Sequence, residues 1–179
     1  MATLLKNEHV LLRAIEPEDL EFLYACENNP EIWHISNTLA PYSKFVLKQY
    51  IENSQYDIYT NKQLRLIIAA SKNPGIPIGA IDLFDFDPYH MRAGIGVLIH
   101  EIDERDKGYA KSALNELIKY SFTHLHLHQL YCNISISNKK SISLFESAGF
   151  IYAGVKKDWL KTLHGWEDEI VYQLINLKY

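Results

Sequence analysis

Six consecutive residues, Arg105-Asp106-Lys107-Gly108-Tyr109-Ala110, have the chemistry to hold a phosphate. They form an R-x-x-G-x-A pattern directly ahead of a strongly helical segment. A helix start offers unpaired backbone N–H groups and a positive dipole end, and glycine lets a phosphate approach the backbone. Arg105 and Lys107 add charge at the same spot. Other nucleotide patterns fit poorly. Gly108-Tyr109-Ala110-Lys111-Ser112 lacks the Gly-Lys pair and preceding spacing of a P-loop, and Gly94-Ile95-Gly96 runs into a strand where a dinucleotide fingerprint needs a helix.

Groups able to move a proton lie elsewhere in the chain. Asp82 and Asp85 sit in a strand-like run and fall on opposite faces of it, so only one can point into a given cleft. Asp82 is the preferred base because an acid is unexpected in mid-strand. Asn138 stands where it can cap a helix, and Ser141 lies one turn into that helix. His124, His126 and His128 alternate in THLHLHQL, but at the end of a helix and with no adjoining acid or cysteine, so no metal is expected. Trp33, Tyr42, Phe45, Tyr50, Tyr56 and Tyr59 crowd one region with Glu31 and Glu52; most read as core, and one or two could face an ammonium group.

These residues need a frame to hold them. The 179 residues are enough for one core, and 47% hydrophobic with 22% charged residues is ordinary for a globular protein. Eighteen Lys and Arg against 22 Asp and Glu give a net charge of -4, which provides no general drive toward nucleic acid. No apolar run approaches the roughly 20 residues of a bilayer span and the start has no leader pattern, so a cytoplasmic protein without a membrane partner is expected. Cys26 and Cys132 lack metal or redox spacing and read as reduced, Cys132 in the core.

Patterning gives the order β, α, α, β, β, β, α, β, α, β, β. A strand near Val10 to Arg13 precedes a helix opened by Glu16-Pro17-Glu18-Asp19, and a second helix covers Ser43 to about Asn53. Strands are expected at Leu64 to Ala70, Ile78 to Phe84 and Ala93 to Ile99. Ala110, Ala113, Leu114, Leu117, Ile118 and Phe122 line one face of the most regular helix. The strand Leu130 to Ile136, a helix from Lys139 to Ala148 ended by Gly149, and a hairpin turning around Leu163-His164-Gly165-Trp166 complete the chain. The expectation is one α/β (α+β) domain over residues 1–179, and the edge-forming hairpin makes a homo-oligomer plausible.

The R-x-x-G-x-A turn, followed by a strand and then by Asn138-Lys139-Lys140-Ser141-Ile142-Ser143-Leu144-Phe145-Glu146-Ser147-Ala148-Gly149-Phe150, resembles the GCN5-related N-acetyltransferase (GNAT) superfamily. The match to N-x-x-S-x-x-L-F-E-x-x-G-F carries that likeness, which runs from about Val10 to Leu177. The opening L-L-R-x-I-E-P-E-D-L and the hairpin around Gly165 resemble the branch with spermidine acetyltransferases and ribosomal-protein N-terminal acetyltransferases. The resemblance implies a mixed, mostly antiparallel sheet with splayed central strands and about four helices. It also implies acetyl-CoA as co-substrate and an amine-bearing acceptor, polyamine-like or a protein N-terminus.

Carried over by position, Val97, Leu98 and Ile99 would pair with the pantetheine arm, and Arg105, Asp106, Lys107, Gly108, Tyr109 and Ala110 would hold the pyrophosphate. Asn138, Ser141 and Phe145 would contact the cofactor's far side. Two departures stand out. Gly94 occupies a position where related polyamine enzymes often carry Glu, and Phe145 replaces a tyrosine that can protonate the leaving thiolate. Ser141 can substitute for that acid; Tyr152 and Tyr172 are further candidates. A non-catalytic acetyl-CoA-binding module, an aminoglycoside-type acetyltransferase and an interaction protein that kept only the fold are the competing readings.

Overall fold

The computed structural model describes residues 5–33 and 38–178. Strands β1 (Val10–Arg13), β2 (Leu64–Ala70), β3 (Pro77–Asp87), β4 (Arg92–Ile99), β5 (Gln129–Ser135), β6 (Ile151–Thr162) and β7 (Gly165–Ile175) form one sheet in the order β1-β2-β3-β4-β5-β7-β6. The α-helices among the described residues are α1 (Leu20–Glu27), α2 (Lys44–Asn53), the single turn α3 (Ile58–Asn61), α4 (Tyr109–Thr123) and α5 (Lys139–Ser147). The expected order holds, with α3 added. Its four residues are too few to show a period, and the Asp57 side chain that caps it at the Thr60 N–H (2.8 Å) is its one sequence signal.

Every pairing is antiparallel except β4 with β5, which α4 must cross over to connect. That parallel pair is short. Arg92, Ala93 and Gly94 match Gln129, Leu130 and Tyr131, and then the strands part. Beyond that point β4 stays with β3 (Ile81 with Val97, Ala80 with Leu98) and β5 stays with β7 (Asn133 with Val171, Ile134 with Ile170). Each strand finds its hydrogen bonds on its outer side, so the inner edges diverge and the splay expected from the resemblance is present.

The two faces of the sheet are packed differently. Leu83, Ile95, Leu130 and Cys132 meet Ala113, Leu114 and Leu117 of α4 in the main core. Ile67 faces the other way and packs with Leu23 of α1 and Ile51 of α2. In-register neighbours carry this second face across the sheet: Arg65, Asp82 and Gly96 on one side of the splay, Ser135, Glu169 and Lys156 on the other.

The turn into α1 is fixed by an ion pair between the half-buried Arg13 and the buried Asp19. Arg13 Nη1 and Nη2 donate to the two Asp19 oxygens at 2.7 Å each, and the Glu16 N–H donates to Asp19 at 2.8 Å. Burial alone would raise the Asp19 carboxyl, but the Arg13 and Glu16 hydrogen bonds outweigh it and hold the pKa below its ordinary value. A depressed carboxyl adds stability above its unfolded pKa of about 3.9, and that stability is lost as pH falls through the lower folded value. Asp19→Asn is therefore expected to cost about 2 kcal/mol in urea unfolding at pH 7. The difference from wild type should shrink steadily below about pH 4.

Candidate functional site

The turn from β4 into α4 is built to leave amides open. Gly108 adopts φ +83°, a left-handed conformation that favours glycine, and nothing lies within 4 Å of a Cβ placed there. The first intrahelical bond is from the Ser112 N–H to the Gly108 carbonyl at 3.0 Å. The N–H groups of Gly108, Tyr109, Ala110 and Lys111 consequently have no partner within α4 and fan outward at its positive end. Arg105 does a different job from the one its charge suggests. Its guanidinium donates to the Ile99 and His100 carbonyls (3.0 and 3.2 Å), stapling the turn to the end of β4.

A cleft of about 770 Å³ opens in front of this turn. Val97, Leu98 and Ile99 form one wall with the β5-facing edge of β4, whose backbone groups beyond Gly94 have no strand partner. Asn138, Ser141 and Leu144 of the α5 segment form the other. The Asn138 side chain accepts from the Ser141 N–H at 3.1 Å, so it caps α5 while also bordering the cleft. Lys107 is drawn to Glu104 (3.1 Å), but Lys111, Lys139 and Lys140 border the cleft, and Lys140 pairs with Asp106 at 3.2 Å. Sequence reasoning singled out neither Lys139 nor Lys140 for charge. Their adjacency at a helix start was the available signal.

A second cavity, about 540 Å³, shares Val97, Asn138 and Ser141 with the first. Its lining includes Ile95, Cys132 and Phe145, which belong to the α4 core, and Phe84, Gly96, Asn133, Ser135 and Glu169, which belong to the opposite face. It therefore runs through the gap between β4 and β5. It meets the cleft of open amides through their shared lining at one end and the α1–α2 face of the sheet at the other. Such a passage has the shape to take a long phosphate-tailed ligand with its far end in the gap. For a coenzyme A thioester the donors fit: open amides for the diphosphate, an unpaired strand edge for the amide-bearing arm and an apolar throat for the thioester.

Phe84 accounts for Gly94. Its ring lies over the glycine so closely that a Cβ there would fall against the ring carbons, and it makes an edge contact with Tyr131 (centroids 6.0 Å apart). A glutamate at position 94 has no room beside it. Asp82 is brought to the same face but outside both cavities. Arg65 holds both its oxygens, Nε at 2.7 Å and Nη2 at 3.1 Å, and also donates to Glu27. Burial disfavours the Arg65 charge, yet these two carboxylates outweigh it and lift the guanidinium well above its ordinary pKa. Asp85 points elsewhere, with φ +48° at a bulge and the Tyr131 hydroxyl donating to it at 3.2 Å.

The remaining candidates divide clearly. Ser141 borders both cavities, and its hydroxyl makes no hydrogen bond among the described residues. Phe145 is 4% exposed and packs edge-on against Phe150 while its ring borders the gap. Tyr152 and Tyr172 border neither cavity, and the Tyr172 hydroxyl donates to Glu146 at 2.8 Å. Cys132 is in the gap, but burial pushes its thiol up to about 12, so it stays protonated near neutrality and is no nucleophile. The described histidines of THLHLHQL form no ligand cluster, and no group of three or more His, Cys, Asp or Glu does so among the described residues.

A sequence profile described as the acetyltransferase (GNAT) domain matches residues 9–151. The chain belongs to this family. The acetyltransferase is 31% identical to a spermidine N(1)-acetyltransferase of Vibrio cholerae serotype O1, over 83% of this chain and 82% of that protein. It is 27% identical to the putative ribosomal N-acetyltransferase YdaF of Bacillus subtilis, over 96% and 93% of the two chains. Among solved structures, spermidine N-acetyltransferase from Vibrio cholerae in complex with CoA and spermine superposes with a TM-score of 0.83, at 25% identity over 94% of this chain and 96% of that one. The enzyme is an N-acetyltransferase of GNAT fold.

The open space around Gly108 separates folding from binding in this acetyltransferase. A Cβ there meets no protein atom within 4 Å, and a side chain as large as tryptophan takes up space in front of the amides. Gly108→Trp is expected to cost only the left-handed strain of about 1–2 kcal/mol, a fall in Tm of a few degrees, and to abolish coenzyme A binding in calorimetry. Unchanged affinity would place the diphosphate elsewhere.

Proposed function

We propose that residues 1–179 form a single cytoplasmic catalytic domain that transfers acetyl from acetyl-CoA to a primary amine of a small polyamine-like molecule. One observation carries this reading: the cavity through the β4–β5 gap joins the cleft at the Gly108 turn to the sheet face that carries Glu169 and Asp82. Polyamine relatives such as the spermidine N(1)-acetyltransferase of Vibrio cholerae support the acceptor class. A protein N-terminus is the other acceptor the branch offers, supported by the likeness to YdaF.

In this reading acetyl-CoA supplies an activated thioester carbonyl in the gap. The amides from Gly108 to Lys111 and the cationic Lys139 and Lys140 anchor its diphosphate. The edge of Val97, Leu98 and Ile99 pairs with its arm, and Asn138, Ser141 and Phe145 close over the sulfur end. The neutral amine attacks the carbonyl, a C–N bond forms and the C–S bond breaks. Holding the two partners in one narrow passage supplies most of the advantage over solution. Cys132, protonated and buried, offers no covalent detour.

Ser141 is the group placed to relay the proton, its hydroxyl giving one to the leaving thiolate as it takes the one the attacking nitrogen sheds, because Phe145 has no hydroxyl and Tyr152 and Tyr172 lie outside the passage. Asp82, tied to Arg65, serves the acceptor face as part of a cluster with Glu27 whose formal charge is negative, and does not act as the base. A thiolate is a good leaving group, so the acid's contribution is modest.

Thiol release from acetyl-CoA should be seen with spermidine or a short diamine, and weakly with N-terminal peptides or aminoglycosides. Ser141→Ala should lower kcat by about tenfold and change the Kd for acetyl-CoA much less than that. Tight coenzyme A binding without thiol release for any amine would overturn the catalytic reading.

A further inference from the structure

Glu169 is the one acidic side chain among those lining the gap cavity, and the residue is 9% exposed. It sits on β7 directly beside Ser135 of β5, on the face from which an acceptor enters. Its Oε2 accepts from Lys156 Nζ at 2.8 Å, and its Oε1 has no hydrogen-bond partner among the described residues. The Lys156 ammonium also reaches Asn133 Oδ1 at 3.4 Å and lies 5.0 Å from the centre of the Trp159 ring. A carboxylate, an amide oxygen and an indole face are the elements that bind an alkylammonium group. The fold has assembled such a seat at the cavity and filled it with its own lysine.

We propose that Glu169 receives the ammonium of the acceptor, and that Lys156 is a built-in competitor for it. The inference rests on the amine-acetyltransferase reading and deepens it. An entering alkylamine and the Lys156 side chain are chemically alike, so they contend for one carboxylate. Glu167 accepts from the hydroxyl of Ser135, the residue in register with Glu169. Across the gap, Glu27 and Asp82 against the single Arg65 give a net formal charge of one negative, which leaves room for a cation. An acceptor with one cationic group at the gap and another beside it finds an acid cluster on either side. Lys156 sets the affinity by competition, and longer polycations, which displace it more readily, gain over monoamines.

Two variants at one ion pair should move in opposite directions. Glu169→Gln keeps the shape and removes the charge; the KM for a diamine should rise at least about tenfold while the KM for acetyl-CoA stays put. Lys156→Met keeps the apolar stem and frees the carboxylate; the diamine KM should fall several-fold. A purely structural ion pair would not lower KM on losing its lysine. Calorimetry of 1,3-diaminopropane with the protein–coenzyme A complex gives a reading independent of turnover, and thermal unfolding of each variant shows that it is folded. Diamine binding lost in Glu169→Gln and tightened in Lys156→Met, even without turnover, would support the seat while the catalytic reading fell. Turnover with a diamine KM unchanged in both folded variants would overturn the seat and leave the catalytic reading standing. No diamine binding by the wild-type complex would overturn the seat as well.

Discussion

The parting of β4 from β5 after three matched residues is the constraint on which the site depends. A sheet normally satisfies its backbone through both neighbours, and an unpaired edge in the interior is costly. Here the outer partners β3 and β7 keep each strand straight, and Arg105 takes the carbonyls at the end of β4. The inner edge of β4 beyond Gly94 is left with donors and acceptors for a ligand. Had the strands stayed paired, the phosphate turn would face a closed wall.

The same parting explains the division of chemistry between two faces. On the α4 side the gap is lined by Ile95, Cys132 and Phe145, an apolar throat in which burial keeps the Cys132 thiol protonated. On the α1–α2 side stand charged groups in register across the sheet, each carboxylate backed by a cation. A thioester suits the first environment and a cationic amine the second. Phe84 covers Gly94 and keeps the boundary between them aromatic.

Membership of the GNAT family limits the chemistry without choosing the acceptor. The fold supplies the turn at Gly108 and the splay, and the α1–α2 face carries Phe84 over Gly94, the Arg65–Asp82–Glu27 cluster, and Lys156 on Glu169. With Phe145 at the throat, Ser141 carries the hydroxyl that borders both cavities.

The amino-acid sequence by itself determined the contiguous features. The phosphate turn is six adjacent residues, α4 declares its buried face by its period, and Asn138 and Gly149 bracket α5, because caps, turns and helical stripes depend on near neighbours along the chain. Only the tertiary structure decided which polar side chains meet. Asp82 reads as an acid in mid-strand, and nothing near it in the chain shows that Arg65, seventeen residues earlier, takes both its oxygens. Glu169 sits in a polar run, GWEDE, that gives no sign of a cavity, and the groups it meets there come from β5 and β6. Such meetings are set by sheet order and register, which depend on packing between distant segments and leave little trace in local spacing.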